Sequence, residues 1–246
     1  MPDAAIIDRR GPDEPALVVA HRGAWNPAPQ NSLAAFEQAI VDGADAVELD
    51  VRRSADKRLI VVHGPRVGVR PVARLDHAAL RERMTPGQAP ELGDVLAALA
   101  GRIAVDVEFK EDGYVGEAME VVARHLSPDR YVVTSFLDAV LPQVHDAVPQ
   151  ARTGLLLTAR SSERRLERRV TQSRANFIAP HRTLVRPALD WAGEHDLPAW
   201  VWTVNEPRSL RQLLGDRRVG AVITDRTREA VAEARRRPDG PLPAAA

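Results

Sequence analysis

Glu48 and Asp50 stand two residues apart within AVELDV, a run that otherwise has the composition of a buried strand. Residues two apart leave a strand on the same face, so both carboxylates point the same way. Two like charges on one buried face are costly unless something neutralises them. A shared divalent cation does so, and Glu108 in IAVDVEF could supply a third carboxylate. An all-oxygen set of this kind suits Mg2+ or Ca2+ and not Zn2+. Pairing with the chain's many arginines is the other solution, and an acid pair at this spacing does not by itself decide between them. Lys110 lies two residues beyond Glu108, on the same face of the run. With Lys57 it is one of only two lysines among 34 lysines and arginines. A compact ammonium beside an anion is chemically distinct from a guanidinium. Histidines close two further apolar runs, His21 in LVVAH and His63 in LIVVH. Each alone reads as a hydrogen-bonded structural residue. Together beside a metal they would make a general base and a general acid.

For these side chains to meet, the runs that carry them must be neighbouring strands. Eight runs qualify: LVVAH (17–21), AVELDV (46–51), IAVDVEF (103–109), YVVTSF (131–136), TGLLLT (153–158), NFIAP (176–180), AWVWTV (199–204) and GAVITD (220–225). A helical pattern follows each. In the first, Asn31 or Ser32 caps the start, Leu33, Phe36 and Ile40 form an apolar stripe, and Gly43 suits the stop. Another follows Asn205, with Pro207 in its first turn and Leu210, Leu213 and Leu214 facing inward. Strands alternating with helices predict a parallel sheet. Eight such units predict a closed (β/α)8 TIM barrel, where five or six would predict an open doubly wound sheet. Chemistry in such a barrel sits at the carboxyl ends of the strands. That is where His21-Arg22-Gly23, Glu48 and Asp50, Asp106, Glu108 and Lys110, and Trp202 and Asn205 fall. The ninth run, LIVVH (59–63), follows ELDV after a polar turn at 52–58 that is too short for a crossover, so the two predict an antiparallel β-hairpin. A centre near residues 55–56 places Glu48 roughly opposite His63.

Composition narrows the function classes. The 246 residues suit one large domain, expected over 15–235, with 1–14 and 236–246 expected to be flexible ends. Thirty-four basic and 34 acidic residues balance to zero, against a general nucleic-acid partner. The absence of cysteine excludes disulfides, thiolate metal sites and a cysteine nucleophile. MPDAAIIDRRGPDEPA has no continuous apolar run, so neither a signal peptide nor a membrane span is expected there, and the cytoplasm is the expected location. The basic stretch at 160–174 reads as the solvated face of an outer helix. There is no glycine-rich dinucleotide loop, no Walker motif and no nucleophile elbow. Nothing in the sequence specifies an oligomeric state.

VVAHRG, ELDVR, VVH, VEFK, TSF, WTVN and GAVITD occur in the order seen in the glycerophosphodiester phosphodiesterases, which this chain resembles over residues 17–226. The resemblance implies a barrel with a short inserted segment, roughly 64–90, after the second histidine. It implies His21 and His63 as the acid–base pair, and Glu48, Asp50 and Glu108 as ligands of Mg2+ or Ca2+. Arg22 and Lys110 would hold the phosphate, and Trp202 would line the alcohol pocket. The implied reaction releases an alcohol and glycerol 3-phosphate from a small phosphodiester, through attack by the glycerol's own neighbouring hydroxyl. A phospholipase-like enzyme acting on whole lipids and a catalytically weakened anion-binding barrel are the alternatives. Two positions depart from the family pattern. Gln30 stands where it has Glu, and Gly64 where it has Asp after the second histidine. Asp106 adds an acid where an amide is expected.

Overall fold

Eight parallel strands close on themselves in the computed structural model, which describes residue 6 and residues 14–158 and 162–236. They are β1 (Leu17–Ala20), β2 (Ala46–Arg53), β6 (Ala104–Phe109), β7 (Tyr131–Ser135), β8 (Arg152–Leu157), β9 (Phe177–Pro180), β10 (Ala199–Val201) and β11 (Val219–Thr224). Closure comes from β1, which pairs with β11 on one side and with β2 on the other. The helices α1 (Leu33–Asp42), α3 (Leu92–Leu99), α4 (Val115–His125), α5 (Val140–Ala147), α6 (Glu163–Ser173), α7 (Val185–Glu194), α8 (Pro207–Leu214) and α9 (Thr227–Ala234) follow in turn. This is the (β/α)8 barrel that the eight runs predict.

After β2 the chain departs from the repeat. β3 (Leu59–Val61) pairs antiparallel with the far end of β2, through Val51 to Arg53. A small hairpin of β4 (Arg66–Val67) and β5 (Arg70–Pro71) and the helix α2 (His77–Arg83) follow before α3. Ile60, Val62, Val72, Leu75 and Leu80 give this inserted segment its own apolar cluster.

Apolar residues occupy two layers. One lies between sheet and helices and includes Phe36, Leu96, Phe109 and Leu189. The other fills the lower barrel with Val19, Val132, Phe177, Trp200 and Ala221. Each large side chain fully withdrawn from water there contributes about 1.5–3 kcal/mol. Phe177 packs against Trp200 at 4.9 Å between ring centroids, and it occupies the space a Cβ on Gly154 would need, 2.2 Å away. Above this floor the inward positions of β2 and β6 turn acidic. Their register sets Glu48 beside Asp106, and Asp50 beside Glu108 one layer higher.

Local expectations meet the fold with three differences. Ser32 caps α1 by accepting from the Ala35 amide, and Gly43 ends it at φ 83°. However, Leu33 is 42% exposed, and the buried stripe is Ala35, Phe36 and Ala39. Leu33 is the first residue of α1, at the barrel rim where no layer covers it. β2 runs two residues past the expected end because β3 supplies partners to Arg52 and Arg53. β10 stops at Val201 instead of 204, since the chain bends there into a single bridge between Trp202 and His181. Leu210, Leu213 and Leu214 of α8 are buried as expected. α6 buries Leu166 and Ser173 and leaves its arginines outward or half-buried, and residues 160 and 161 of that stretch lie outside the described residues. Most of the termini expected at 1–14 and 236–246 also lie outside them. Among the described residues no helix is long and apolar enough to cross a membrane.

Candidate active site

At the carboxyl ends of the strands lies a cavity of about 270 Å3, lined by His21, Arg22, Glu48, His63, Asp106, Glu108, Lys110, Thr134, Phe136, Leu156, Trp202 and Ile223. Seven of the eight residues singled out from the sequence line it, and the eighth, Asp50, touches three of them, Arg22, His63 and Lys110. A larger groove of about 490 Å3 lies between α6 and α7, and none of those residues lines it.

The acids come from adjacent strands. Glu48, Asp50 and Glu108 are buried and each offers an oxygen within 4.8 Å of the others. Asp50 collects the cations. Lys110 Nζ lies 2.9 Å from its Oδ1 and Arg22 Nε 3.1 Å from its Oδ2. Burial alone would raise the Asp50 carboxyl, but the hydrogen bond from His63 and the charges of Lys110 and Arg22 overcome that and hold it well below the usual carboxylate range. Glu48 fares differently. Burial, then repulsion from Asp50 and Glu108, drives it well above its ordinary value. Its Oε2 accepts from the Arg22 amide at 2.9 Å, while Oε1 is buried without a partner among the described residues. Burial also pushes Glu108 up to about 7, although Lys110 contacts it at 2.5 Å. The two cations therefore do not neutralise all three acids. An orphaned buried oxygen in an all-oxygen set is what a hard divalent cation satisfies, so Glu48, Asp50 and Glu108 fit Mg2+ or Ca2+.

Both histidines arrive, with one revision. The hairpin register centres on Asp56, since Val51 faces Val61 and Arg53 faces Leu59. That is slightly further along the chain than the expected centre. The hydrogen-bond partner of the His63 Nδ1 is accordingly Asp50, with its Oδ1 3.1 Å away, and not Glu48. His63 Nε2 accepts from Arg22 Nη2 at 3.2 Å, and Arg22 Nη1 donates to Gln30 at 2.7 Å. His21 Nδ1 lies 2.7 Å from Asp225 Oδ1. Burial holds the His21 imidazole below the usual histidine range, opposed by its hydrogen bond to Asp225.

Trp202 forms the apolar wall with Phe136, edge to face at 5.4 Å, and its indole donates to the Ala179 carbonyl at 2.6 Å. Asp106 lies on the floor, where Thr134 donates to its Oδ1 at 2.8 Å and Oδ2 has no partner among the described residues. Burial pushes it up to about 8.

Three participants escaped the sequence reading. Asn31, considered only as a helix cap, donates to Asp50 Oδ2 at 2.7 Å. Phe136 was read only as the end of a strand. Asp225 ends GAVITD, and the rule that picked out polar residues at strand ends would have found it had it been applied to the eighth strand.

Comparison with known proteins points to one family. The family model for the glycerophosphoryl diester phosphodiesterase family matches residues 21–95. A Mycobacterium tuberculosis protein described as probable glycerophosphodiester phosphodiesterase 2 is 31% identical over 232 residues, covering 85% of this chain and 87% of its own. Among solved structures, a glycerophosphodiester phosphodiesterase of Parabacteroides distasonis superposes with TM-score 0.78 at 21% identity, covering 90% of this chain and 98% of that one. An Oleispira antarctica phosphodiesterase, solved with its product sn-glycerol 3-phosphate, gives TM-score 0.75 at 22% identity over 89% of this chain and 96% of its own.

Proposed function

The chain belongs to the glycerophosphodiester phosphodiesterase family, and from that premise we propose how its barrel mouth hydrolyses a glycerophosphodiester to an alcohol and glycerol 3-phosphate. The observation that carries the reading is the convergence of His21, His63, Arg22 and Lys110 on one cavity with the cluster Glu48, Asp50 and Glu108. Residues 15–235 act as one catalytic unit on a small diester in the cytoplasm.

Arg22 and Lys110 bind the phosphoryl oxygens, and Trp202 and Phe136 pack against the substrate's carbon skeleton. His21 Nε2 takes the proton of the glycerol hydroxyl next to the phosphate. That oxygen forms a bond to phosphorus while the bond from phosphorus to the departing alcohol breaks. His63 supplies the proton that the alcohol oxygen takes up. Water then opens the cyclic phosphate, with the two histidines exchanging roles, and glycerol 3-phosphate leaves. A divalent cation held by Glu48, Asp50 and Glu108 would supply positive charge to the oxygens of the phosphate and the attacking hydroxyl. The absence of the family's acid at Gly64 does not leave His63 loose, since Asp50 takes its Nδ1. This favours an active enzyme over a weakened anion-binding barrel.

The test is an assay of glycerophosphocholine and glycerophosphoethanolamine with Mg2+, with Ca2+ and in excess EDTA after dialysis. Turnover that requires a divalent ion and releases glycerol 3-phosphate is expected. Full turnover in EDTA would remove the cation from this account, and release of phosphocholine would reverse the direction of cleavage.

A further inference from the structure

Asp225 stands at the carboxyl end of β11, outside the metal-type cluster, and three side chains converge on it. Asn205 Nδ2 donates to its Oδ2 at 2.5 Å, and the Asp225 amide donates back to Asn205 Oδ1 at 2.9 Å. The half-exposed Trp25 donates its indole N–H to Oδ1 at 3.3 Å. Asn205 Oδ1 also accepts from Thr224 at 3.2 Å. With so many donors turned toward it, the carboxylate has a fixed orientation, and that orientation aims Oδ1 at His21 Nδ1, 2.7 Å away. A carboxylate only accepts, so the shared hydrogen belongs to Nδ1 of the imidazole. His21 Nε2 is then the nitrogen with a free lone pair, and it has no hydrogen-bond partner among the described residues. His63 shows the contrasting arrangement, with Arg22 against its Nε2.

We propose that Asp225, held by Asn205 and Trp25, is a positioning residue that keeps the hydrogen of His21 on Nδ1 and so presents the Nε2 lone pair to the substrate hydroxyl. The inference rests on the reading of His21 as the base. It assigns the two histidines distinct roles from their partners. It also gives the Trp25 loop and the segment between β10 and α8 a part in catalysis without contact to the substrate. The charges facing His21 are Asp225, Arg22 and Asp50, and the cavity adds Glu48, His63, Glu108 and Lys110. Of these, only Asp225 bonds the imidazole of His21 directly.

Asp225→Asn tests this, because the asparagine amide can donate to Nδ1 and move the ring hydrogen to Nε2, where it blocks the base. The expected loss is about 10^2–10^4 in kcat, with KM changed less than about threefold if the binding groups stay in place. Asp225→Glu should recover part of the rate, and Asn205→Ala should lose about tenfold, in line with a supporting partner. The acid limb of the rate profile should move to lower pH in Asp225→Asn, since a charge favouring the imidazolium is gone. Nitrogen and proton NMR of His21 should show the hydrogen on Nδ1 in the wild type and on Nε2 in Asp225→Asn. The proposal is overturned if the acid limb and the tautomer are the same in both proteins. It is equally overturned if the rate falls only as far as the melting temperature explains. A wild type that hydrolyses no glycerophosphodiester would defeat the functional reading, while the NMR tautomer would still decide this inference.

Discussion

His63 has Asp50 against Nδ1 and Arg22 against Nε2. A guanidinium only donates, so Nε2 is the acceptor here and Nδ1 carries the hydrogen. For His63 to protonate a departing alcohol, Nε2 must gain a proton and Arg22 must leave it, and a bound phosphate gives Arg22 a better partner. In the proposed mechanism, substrate binding would thereby be coupled to exposure of the acid. His63→Ala should cost about 10^2–10^4 in kcat on glycerophosphocholine. The cost should shrink on a glycerophosphodiester whose alcohol is 4-nitrophenol, which departs without a proton. An equal loss on both substrates would mean that His63 does not act as the acid. Activity should follow a bell in pH, with the acid limb below the usual histidine range because burial disfavours the charged form of His21. Asp106 carries a stability prediction. Its carboxyl is pushed up to about 8 in the fold and is near 3.9 in an unfolded chain, as an ordinary Asp is. Between those values the unfolded state has released a proton that the native state keeps, so stability falls as pH rises from about 4 to about 8. Asp106→Asn removes that slope and should raise the melting temperature at pH 7 in EDTA by several degrees, at roughly 2–4 °C per kcal/mol for a chain of this size. An unchanged slope would show that Asp106 is ionised in the fold.

The element that brings most of these residues together is the turn between β1 and α1. His21, Arg22, Trp25, Gln30, Asn31 and Ser32 all lie in it. Gly23 lets it pass close to α1, with φ at 79° and the place of a Cβ only 2.7 Å from the Ala35 backbone. Gly23→Ala meets both the left-handed strain and a backbone that cannot yield. It should cost about 1–3 kcal/mol for the strain alone and lower kcat further by shifting His21 and Arg22. A melting curve and turnover close to wild type would show that the turn can rebuild around a side chain. The barrel was legible because eight strand-like runs are each followed by a helical pattern, which calls for a parallel sheet, and eight such units suit a closed barrel better than an open sheet. The hairpin was legible because the connection after β2 is too short to cross over. Its register was not, since a polar turn does not fix its own centre to the residue, and His63, expected opposite Glu48, bonds Asp50 instead. Asn31 and Asn205 were visible as residues but not as partners. A short amide reaches across the barrel mouth to groups 19 and 20 positions away, and periodicity has no reading for such contacts. The exposure of Leu33 was hidden for a related reason, because a helical stripe shows which face is apolar but not where along it the covering layer ends.

Across the whole molecule the balanced charge conceals a local imbalance. Thirty-four cations match 34 anions, yet the barrel interior gathers Glu48, Asp50, Asp106 and Glu108 against Arg22 and Lys110. Without a divalent ion the fold relieves this by holding protons, with Glu108 pushed up to about 7 and Glu48 well above its usual range. Protons and the cation then compete for the same oxygens. Each raised carboxyl costs stability as pH rises from the unfolded value near 4 toward its folded value. A bound cation displaces the proton and removes that cost. Mg2+ or Ca2+ should therefore raise the melting temperature little at pH 5.5 and much more at pH 8. At a hundredfold excess over Kd the gain is about 2.7 kcal/mol, or roughly 5–10 °C for a chain of this size. Glu108→Gln keeps the shape and removes one charge. It should reduce both the shift and its dependence on pH while leaving the metal-free melting temperature equal to or above that of the wild type, since a neutral amide has no proton to retain. Differential scanning calorimetry at the two pH values, with the ion and with EDTA, measures all of this. A shift of the same size at pH 5.5 and pH 8, or none at millimolar ion, would mean that the three acids do not form the cation site.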